Sequence, residues 1–557
     1  MAHDMAPLPT SGKVRRLELV VCIGIILFGA AVRLPGLSGG DLWADDAWIA
    51  LTAKVGLHQA LQIAANTPLL GLLLRQWIAI DPGTTWFAQL LPMLAGLGAI
   101  PAVWWLARCL RAALWTKAVV ALMAATAPAA ILYGTRVKEY PFELLFGTLL
   151  MVGLAKTVAL PDSRWRWVLV GGVLVACLSS GLLTVFSLAV VVALGVSLLR
   201  STERPRGSIA ALAIMVCCVA GSVLLLYRSV PPALQRFWEP WEIVRPLHRS
   251  GIDRSIALMG SGIAHGIAGI PQPTGPFPLT IALSNSQIFV GWLLAIVEVL
   301  LLLAAVLVVV RRLGARNEPA ASVGLGAIGV LALAIAGAAV GKLPLGGGRT
   351  DLWWYPAVWA LSILVLEALR SQLVGRQFAH RRASSAPALL AVGLVPILIL
   401  ASLGIWFRAW YPHQDIRSLV TSIEPKLRTG DWIVVGGKNQ WTWAYDGVTP
   451  VAFHYDRHSQ RWTEGFNLSV DRPPDAITRL AAGMPPACAS TRRIWVIGYQ
   501  ASVASPSAYR LTGPAGRVDQ SDIVAVPLLA RSGFHLHSTV QGDGVYASLW
   551  THEGPCT

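Results

Sequence analysis

The chain has 557 residues, 55% of them hydrophobic and only 13% charged, with a mean hydropathy of +0.59. Apolar residues gathered in runs of roughly 17–25 exclude a soluble globular protein and define a polytopic membrane protein. The formal charge of +16 would suit nucleic acid in a soluble domain, but here the basic residues stand between the apolar runs. That assigns them to membrane orientation and leaves no nucleic-acid partner.

Residues 1–16 are polar and end in Lys13, Arg15 and Arg16. The first span follows at 17–37; it is too long for a signal-peptide core and has no small-residue cleavage site, so it is expected to be retained. Ten more spans are expected at 86–107, 113–133, 141–158, 167–181, 182–199, 208–227, 284–310, 320–341, 352–369 and 387–409. With a cytoplasmic N-terminus, eleven spans put 1–16, 108–117, 156–166, 200–207, 311–318 and 370–386 inside. Each of these six segments carries at least three Lys or Arg, as the positive-inside rule asks.

The opposite face then holds loop 38–85, the turn at 134–140, loop 228–283, loop 342–351 and everything after 410. Residues 53–85, with Lys54, His58, Asn66, Pro68 and Arg75, are expected to form one or two helices in the outer interface. Loop 228–283 mixes Phe237, Trp238 and Trp241 with charges and ends in the proline-rich, extended run 269–278. Residues 411–557 carry short β-prone runs at 431–437 and 493–499 and an amphipathic helix at 415–427, a soluble α/β or α+β domain. The expected organisation is a tail, 1–16, a membrane module, 17–410, and an extracytoplasmic domain, 411–557.

Seven cysteines include no CxxC pair and no zinc spacing, so no ligand cluster forces a metal. Cys488 and Cys556 fall in the outer domain, where a disulfide between them fits an oxidising compartment. Cys22, Cys109, Cys177, Cys217 and Cys218 lie in or beside spans and read as small apolar fillers.

Four features converge on the outer face. Asp45 and Asp46 follow the first span between Trp43 and Trp48, where an acidic pair is costly unless solvated, paired or used. The run 133–143 supplies Arg136, Lys138, Glu139 and Tyr140, with Arg136 and Tyr140 one turn apart if the segment is helical. The run 342–356 sets Arg349 beside Thr350 and Asp351 after three glycines, and the soluble domain offers Trp441, Trp443 and Tyr445. A carboxylate can deprotonate an acceptor hydroxyl, guanidiniums can stabilise a departing phosphate, and aromatic faces suit sugar rings.

The order of these motifs resembles the GT-C superfamily of polyprenyl-phosphate-sugar-dependent glycosyltransferases, in the branch of the protein mannosyltransferases, aminoarabinose transferases and mycobacterial arabinosyltransferases. WADDAWIA at 43–50 is similar to that family's acidic pair after the first helix, RVKEYPF at 136–142 to its Arg…Tyr element, and PLGGGRTDLWWYP at 344–356 to its late outer-loop arginine. The resemblance implies that Asp45 is the general base, Asp46 its helper, and Arg349 with Arg136, Lys138 and Tyr140 the donor-phosphate contacts. Trp43, Trp48, His58, Trp441, Trp443 and Tyr445 would touch acceptor or sugar. It also implies a polyprenyl-phospho-sugar donor, a glycan, lipid or protein acceptor of the cell envelope, and a multi-pass place in a bacterial plasma membrane; a divalent cation is compatible with it. NTPLL at 66–70 stands where many relatives have a His-Pro-Pro element, which leaves the acceptor side open.

Each residue also fits a plainer role. Asp45 and Asp46 suit a helix N-cap, Arg349 a snorkelling anchor, Arg136 and Lys138 a pairing with Glu139, and the aromatics at 441–455 the core of the small domain. Glu298 falls inside a span, which suits a functional group or a structural ion pair. Two other classes compete: a flippase for lipid-linked sugars, which would show repeated halves and midplane charges, and an inactive scaffold. A nucleotide-sugar enzyme is disfavoured, because no GxGxxG opens a strand–helix unit and no Asp-x-Asp occurs.

Overall fold

The computed structural model describes residues 12–229 apart from 39–41, 43, 54–55, 65–66, 82–83, 161–162 and 202–205; 303–311; 318–379 apart from 341 and 344–348; 416–428 apart from 427; and strand segments from 432 to 552. The helices are α1 (Gly12–Ser38), α2 (Ala44–Ala50), α3 (Leu57–Ile63), α4 (Pro68–Ile80), α5 (Thr85–Cys109), α6 (Leu114–Thr126), α7 (Pro128–Leu132), α8 (Tyr140–Ala159), α9 (Trp165–Ser179), α10 (Gly181–Arg200), α11 (Arg206–Ser229), α12 (Pro319–Ala339), α13 (Tyr355–Ala379) and α14 (Ile416–Ile423).

Among the described residues seven stretches are long and apolar enough to cross a membrane: Val14–Leu37, Thr85–Cys109, Tyr140–Ala159, Gly181–Arg200, Arg206–Leu225, Pro319–Ala339 and Leu352–Ser371. Their lengths of 20–25 residues correspond to about 30–37 Å, the thickness of a hydrocarbon core and its margins. Two shorter apolar helices, α6 and α9, stand among them. The protein is a multi-pass helical membrane protein. The expected span 284–310 is described only from 303, where the chain is helical to 311; 387–409, Glu298 and the loop beyond 229 lie outside the described residues.

The expected span 113–133 is two helices. Pro128 has no N–H to give Ala124, so α6 stops at Thr126 and α7 starts afresh. Side chains from other helices hold both ends of α6. Glu367 of α13 accepts from Ala113 N at 2.7 Å and Thr116 Oγ1 at 2.5 Å, and Arg33 of α1 donates to the carbonyls of Ala125 and Ala124 at 2.9 and 3.4 Å. An anion at the first turn and a cation at the last match the helix dipole. Lys117 adds an ion pair with Glu18 of α1 at 2.8 Å, so α1 and α6 run side by side in parallel.

The two spans expected at 167–181 and 182–199 are a hairpin. α8 faces α9 in antiparallel order, Glu143 with Ser180, Leu150 with Gly172 and Gly153 with Leu169. It faces α10 in parallel order, Gly147 with Phe186, while Gly326 of α12 touches both Leu154 and Ala193. The chain therefore reverses at Ser180, which has extended backbone and caps α10 by accepting from Leu182 N at 3.1 Å. The shared core is built largely of Ala, Val and Leu from α5, α6, α8, α9, α10, α12 and α13, small side chains that let helix backbones approach.

In the C-terminal region, strands β1 (Trp432–Val435), β4 (Arg493–Tyr499), β5 (Phe534–Gln541) and β6 (Val545–His552) form one sheet in the order β1-β4-β6-β5, with β1 parallel to β4 and the rest antiparallel. β2 (Tyr455–Asp456) and β3 (Arg461–Trp462) form a separate pair. Ile494 to Ile497 are buried in succession, as a central strand requires. α14, the expected amphipathic helix, buries Leu419 and Ile423 one turn apart and packs on β5 and β6. Trp441, Trp443, Tyr445, Cys488 and Cys556 lie outside the described residues.

Candidate active site

After α1 comes α2, a seven-residue helix that opens at Ala44 and carries Asp45 and Asp46 in its first turn. Asp46 is fully buried, and its Oδ2 lies 3.3 Å from Nη1 of Arg136, itself 4% exposed. Two charges leave water together here, which is tolerable only because they meet. The contact joins two of the features expected on the outer face, across 90 residues of chain.

The surroundings of the pair are apolar. Leu42, Ala47, Ile49, Ala50 and Leu51 pack against Leu70, Leu74 and Ile78 of α4, Ala88 and Ala95 of α5, and Val137 and Phe142. Residues 57–80 form two helices, and α4 covers the acidic segment: it turns these apolar residues inward, while Leu69, Leu73 and Ile80 stay exposed. Arg75 of α4 donates to the carbonyl of Thr52, which fixes the far end of the α2 segment. His58 lies exposed on α3. Asp45 and Trp48 are placed in α2 by the backbone, and Trp43 lies outside the described residues.

Arg136 does not sit on a helix. Residues 133–139 form a turn and α8 begins only at Tyr140, because a helix reaching back to Val137 would drive the Pro141 ring into the Val137 carbonyl. Arg136 and Tyr140 are therefore not stacked one turn apart on a helix face. Tyr140 instead meets Tyr133 edge to face, with centroids 5.7 Å apart, and Lys138 remains half-buried. Gly134 is needed for close approach: a Cβ there would come 2.5 Å from the Ala130 carbonyl and 3.0 Å from Arg33 Nε.

The 3-10 turn Arg349–Trp354 packs at the same end of the bundle, against α7, α8, α10 and the start of α13. Its Trp353 and Trp354 are buried, and Trp354, Tyr355 and Trp359 form a chain of edge-to-face contacts 5.4 and 6.2 Å apart. Arg349 and Asp351 are placed in this turn by the backbone. Three of the four expected features thus share one end of the molecule, and the fourth, at 441–455, is outside the described residues except for Tyr455 at the start of β2.

Two charged residues at this end escaped the sequence reading. Glu143, in the first turn of α8, is fully buried and accepts from Ser180 Oγ at 2.5 Å. Arg33, near the end of α1, is 1% exposed and bonded to backbone carbonyls. Both carried a usable signal, since an ionisable residue inside an apolar span has a use by default. Among the described residues no three His, Cys, Asp or Glu gather as a metal site.

No family model and no curated protein matches the sequence. Solved structures match over nearly its whole length. The archaeal oligosaccharyltransferase AglB from Archaeoglobus fulgidus, in complex with an inhibitory peptide and a dolichol-phosphate, aligns at a TM-score of 0.53 and 12% identity, covering 97% of this chain and 74% of that one. The apo form of the Archaeoglobus fulgidus oligosaccharyltransferase aligns at 0.51 and 11% identity, over 86% and 69% of the two chains. ArnT from Cupriavidus metallidurans in the apo state aligns at 0.48 and 13% identity, over 97% and 98%. The oligosaccharyltransferase alignments show that this chain shares their fold.

Proposed function

We propose that the protein is a membrane glycosyltransferase that moves a sugar, arabinose or mannose, from a polyprenyl-phosphate donor to a glycan, lipid or protein acceptor of the cell envelope. The reaction runs on the extracytoplasmic face of a bacterial plasma membrane, with the N-terminus cytoplasmic and the C-terminal domain outside. The observation that carries this reading is the buried Asp46–Arg136 pair, which pins the acidic helix to the turn before α8 at the bundle end where the Arg349 turn also packs.

In the proposed step Asp45 takes the proton of the acceptor hydroxyl as its oxygen attacks the anomeric carbon. The bond from that carbon to the phosphate oxygen breaks from the opposite side, so configuration inverts, and the lipid phosphate leaves with the electron pair. Arg349, with Lys138 and Tyr140, meets the developing phosphate charge. Arg136 adds its charge while holding Asp46, whose carboxylate fixes α2 rather than taking the proton. The buried aromatics after Arg349 wall the site, and the covering helices α3 and α4 keep water from competing with the acceptor.

The test is a transfer assay in nanodiscs with labelled polyprenyl-phospho-arabinose and polyprenyl-phospho-mannose and crude envelope acceptors. Asp45→Asn in a folded protein is expected to lose about 10²–10⁴-fold in rate, Arg349→Ala to lose transfer as well, and the productive donor names the sugar. Activity that survives removal of both carboxylates sinks the mechanism. Lipid-linked sugar movement without transfer would instead support a flippase, and neither activity would support a scaffold.

A further inference from the structure

Arg33 is buried in the bundle with no carboxylate beside it among the described residues. Its guanidinium makes three bonds, all to backbone carbonyls: Nη1 to Gly29 and Ala125, each at 2.9 Å, and Nη2 to Ala124 at 3.4 Å. Its Nε has no hydrogen-bond partner among the described residues, and the backbone of Gly134 lies beside it, where a Cβ would come within 3.0 Å. A buried, unneutralised guanidinium is costly, and an apolar side chain would fill the same space at lower cost.

The carbonyls it meets are those at the α6–α7 break. Pro128 removes the N–H that would have bonded Ala124, and the forked guanidinium of Arg33 reaches both Ala124 O and Ala125 O at once. From that break the chain runs through five residues of α7 directly into Tyr133, Gly134, Thr135 and Arg136. The turn is pressed from a second side by α5, since Gly96 lies against Gly134 and Pro141. Arg136 then reaches Asp46.

We propose that Arg33 is a positioning residue: by holding the broken end of α6 and backing Gly134, it sets the turn that carries Arg136, and through the ion pair it sets the acidic helix α2. Its catalytic consequence rests on the glycosyltransferase reading; its structural coupling does not. No group of the acceptor or donor touches Arg33 in this scheme.

The experiment is hydrogen exchange with mass spectrometry on the full chain in nanodiscs, comparing wild type, Arg33→Met, Arg33→Lys and Glu367→Gln. Glu367→Gln loosens the opposite end of α6 and serves as the control for general destabilisation. Arg33→Met should speed exchange about tenfold at 133–139 and 44–53 and leave 113–120 unchanged; Arg33→Lys, which is the safer variant for folding, should give a smaller rise in the same two segments. Glu367→Gln should do the reverse. Uniform acceleration, an unchanged 44–53, or the same pattern from Glu367→Gln overturns the coupling.

In the transfer assay Arg33→Met should lower kcat at least tenfold with KM within threefold, and Arg33→Lys should recover part of it. A fall in kcat that disappears once the rate is normalised to the amount of folded protein would make Arg33 merely structural. If wild type transfers no sugar at all, the glycosyltransferase reading fails while the exchange pattern still decides the coupling.

Discussion

Asp46 and Arg136 offer the clearest stability test at the scale of single residues. Removing either charge takes the ion-pair partner from the other in that apolar pocket, so Asp46→Asn or Arg136→Gln should each cost about 3–5 kcal/mol. The double substitution should cost less than the sum, because the second change removes the charge the first one stranded. Denaturant titration in detergent with all three variants reads this directly, and full additivity would mean the two side chains do not interact. Ser180→Ala should cost about 2 kcal/mol, since the hydroxyl both caps α10 and donates to the buried Glu143 carboxyl. The acidic pair and the basic turn were legible in the sequence because each stood as a charge cluster between apolar runs. Their contact was not, since it spans 90 residues and no local periodicity carries it. Glu143 and Arg33 were passed over for the opposite reason: each is a single charge absorbed into an apolar run that reads as a span.

Elements were legible to the extent that their ends carry local signals. The α9–α10 reversal falls near the boundary expected between 167–181 and 182–199, and the structure puts the turn at Ser180. The α6–α7 break had its signal in Pro128, yet hydropathy averaged over a span smooths it away, and prolines inside membrane helices are no guide by themselves: α1 keeps Pro35 and α5 keeps Pro92 and Pro101 within continuous helix. What distinguishes Pro128 is tertiary, the Arg33 guanidinium that replaces the lost donor. The turn between α5 and α6 carries a different kind of cost. Arg111 has φ 57°, while Ala112 N bonds back to Ala107 O at 2.9 Å in the manner of a glycine-ended helix. A left-handed conformation costs an L-residue about 1–2 kcal/mol, and glycine gives back part of that gain through its freer unfolded chain. Arg111→Gly should therefore be neutral or stabilising by up to about 1 kcal/mol, and Arg111→Val should lower the thermal midpoint. A large loss in Arg111→Gly would show that the side chain, not the backbone, matters at this turn.

The whole molecule has a sidedness that the helix contacts and the charges give independently. Glu18–Lys117 and Glu367–Thr116 mark one end of the bundle; Arg33–Ala125, Asp46–Arg136 and Glu143–Ser180 mark the other. The first end carries the Lys- and Arg-rich connections, so the positive-inside rule predicts that it faces the cytoplasm. What hydropathy alone leaves to parity is the side of the C-terminal domain, because that domain shares the face of Asp46 only if the crossings expected at 284–310 and 387–409 are both made or both absent. Single cysteines in a background with all seven native cysteines replaced test this with a membrane-impermeant thiol reagent on intact cells. Gly56→Cys sits where a side chain meets open space and should label from outside. Ser163→Cys, in the short connection between α8 and α9, should label only after permeabilisation. Thr421→Cys, exposed on α14, is the discriminating site. Labelling from outside requires an even number of crossings between the Asp46 loop and α14, which eleven spans supply. Protection at Thr421 with labelling at Gly56 would remove one crossing, put the aromatic cluster at 441–455 on the wrong side of the bilayer, and leave α2, the 133–139 turn and the Arg349 turn to form the sugar site without it.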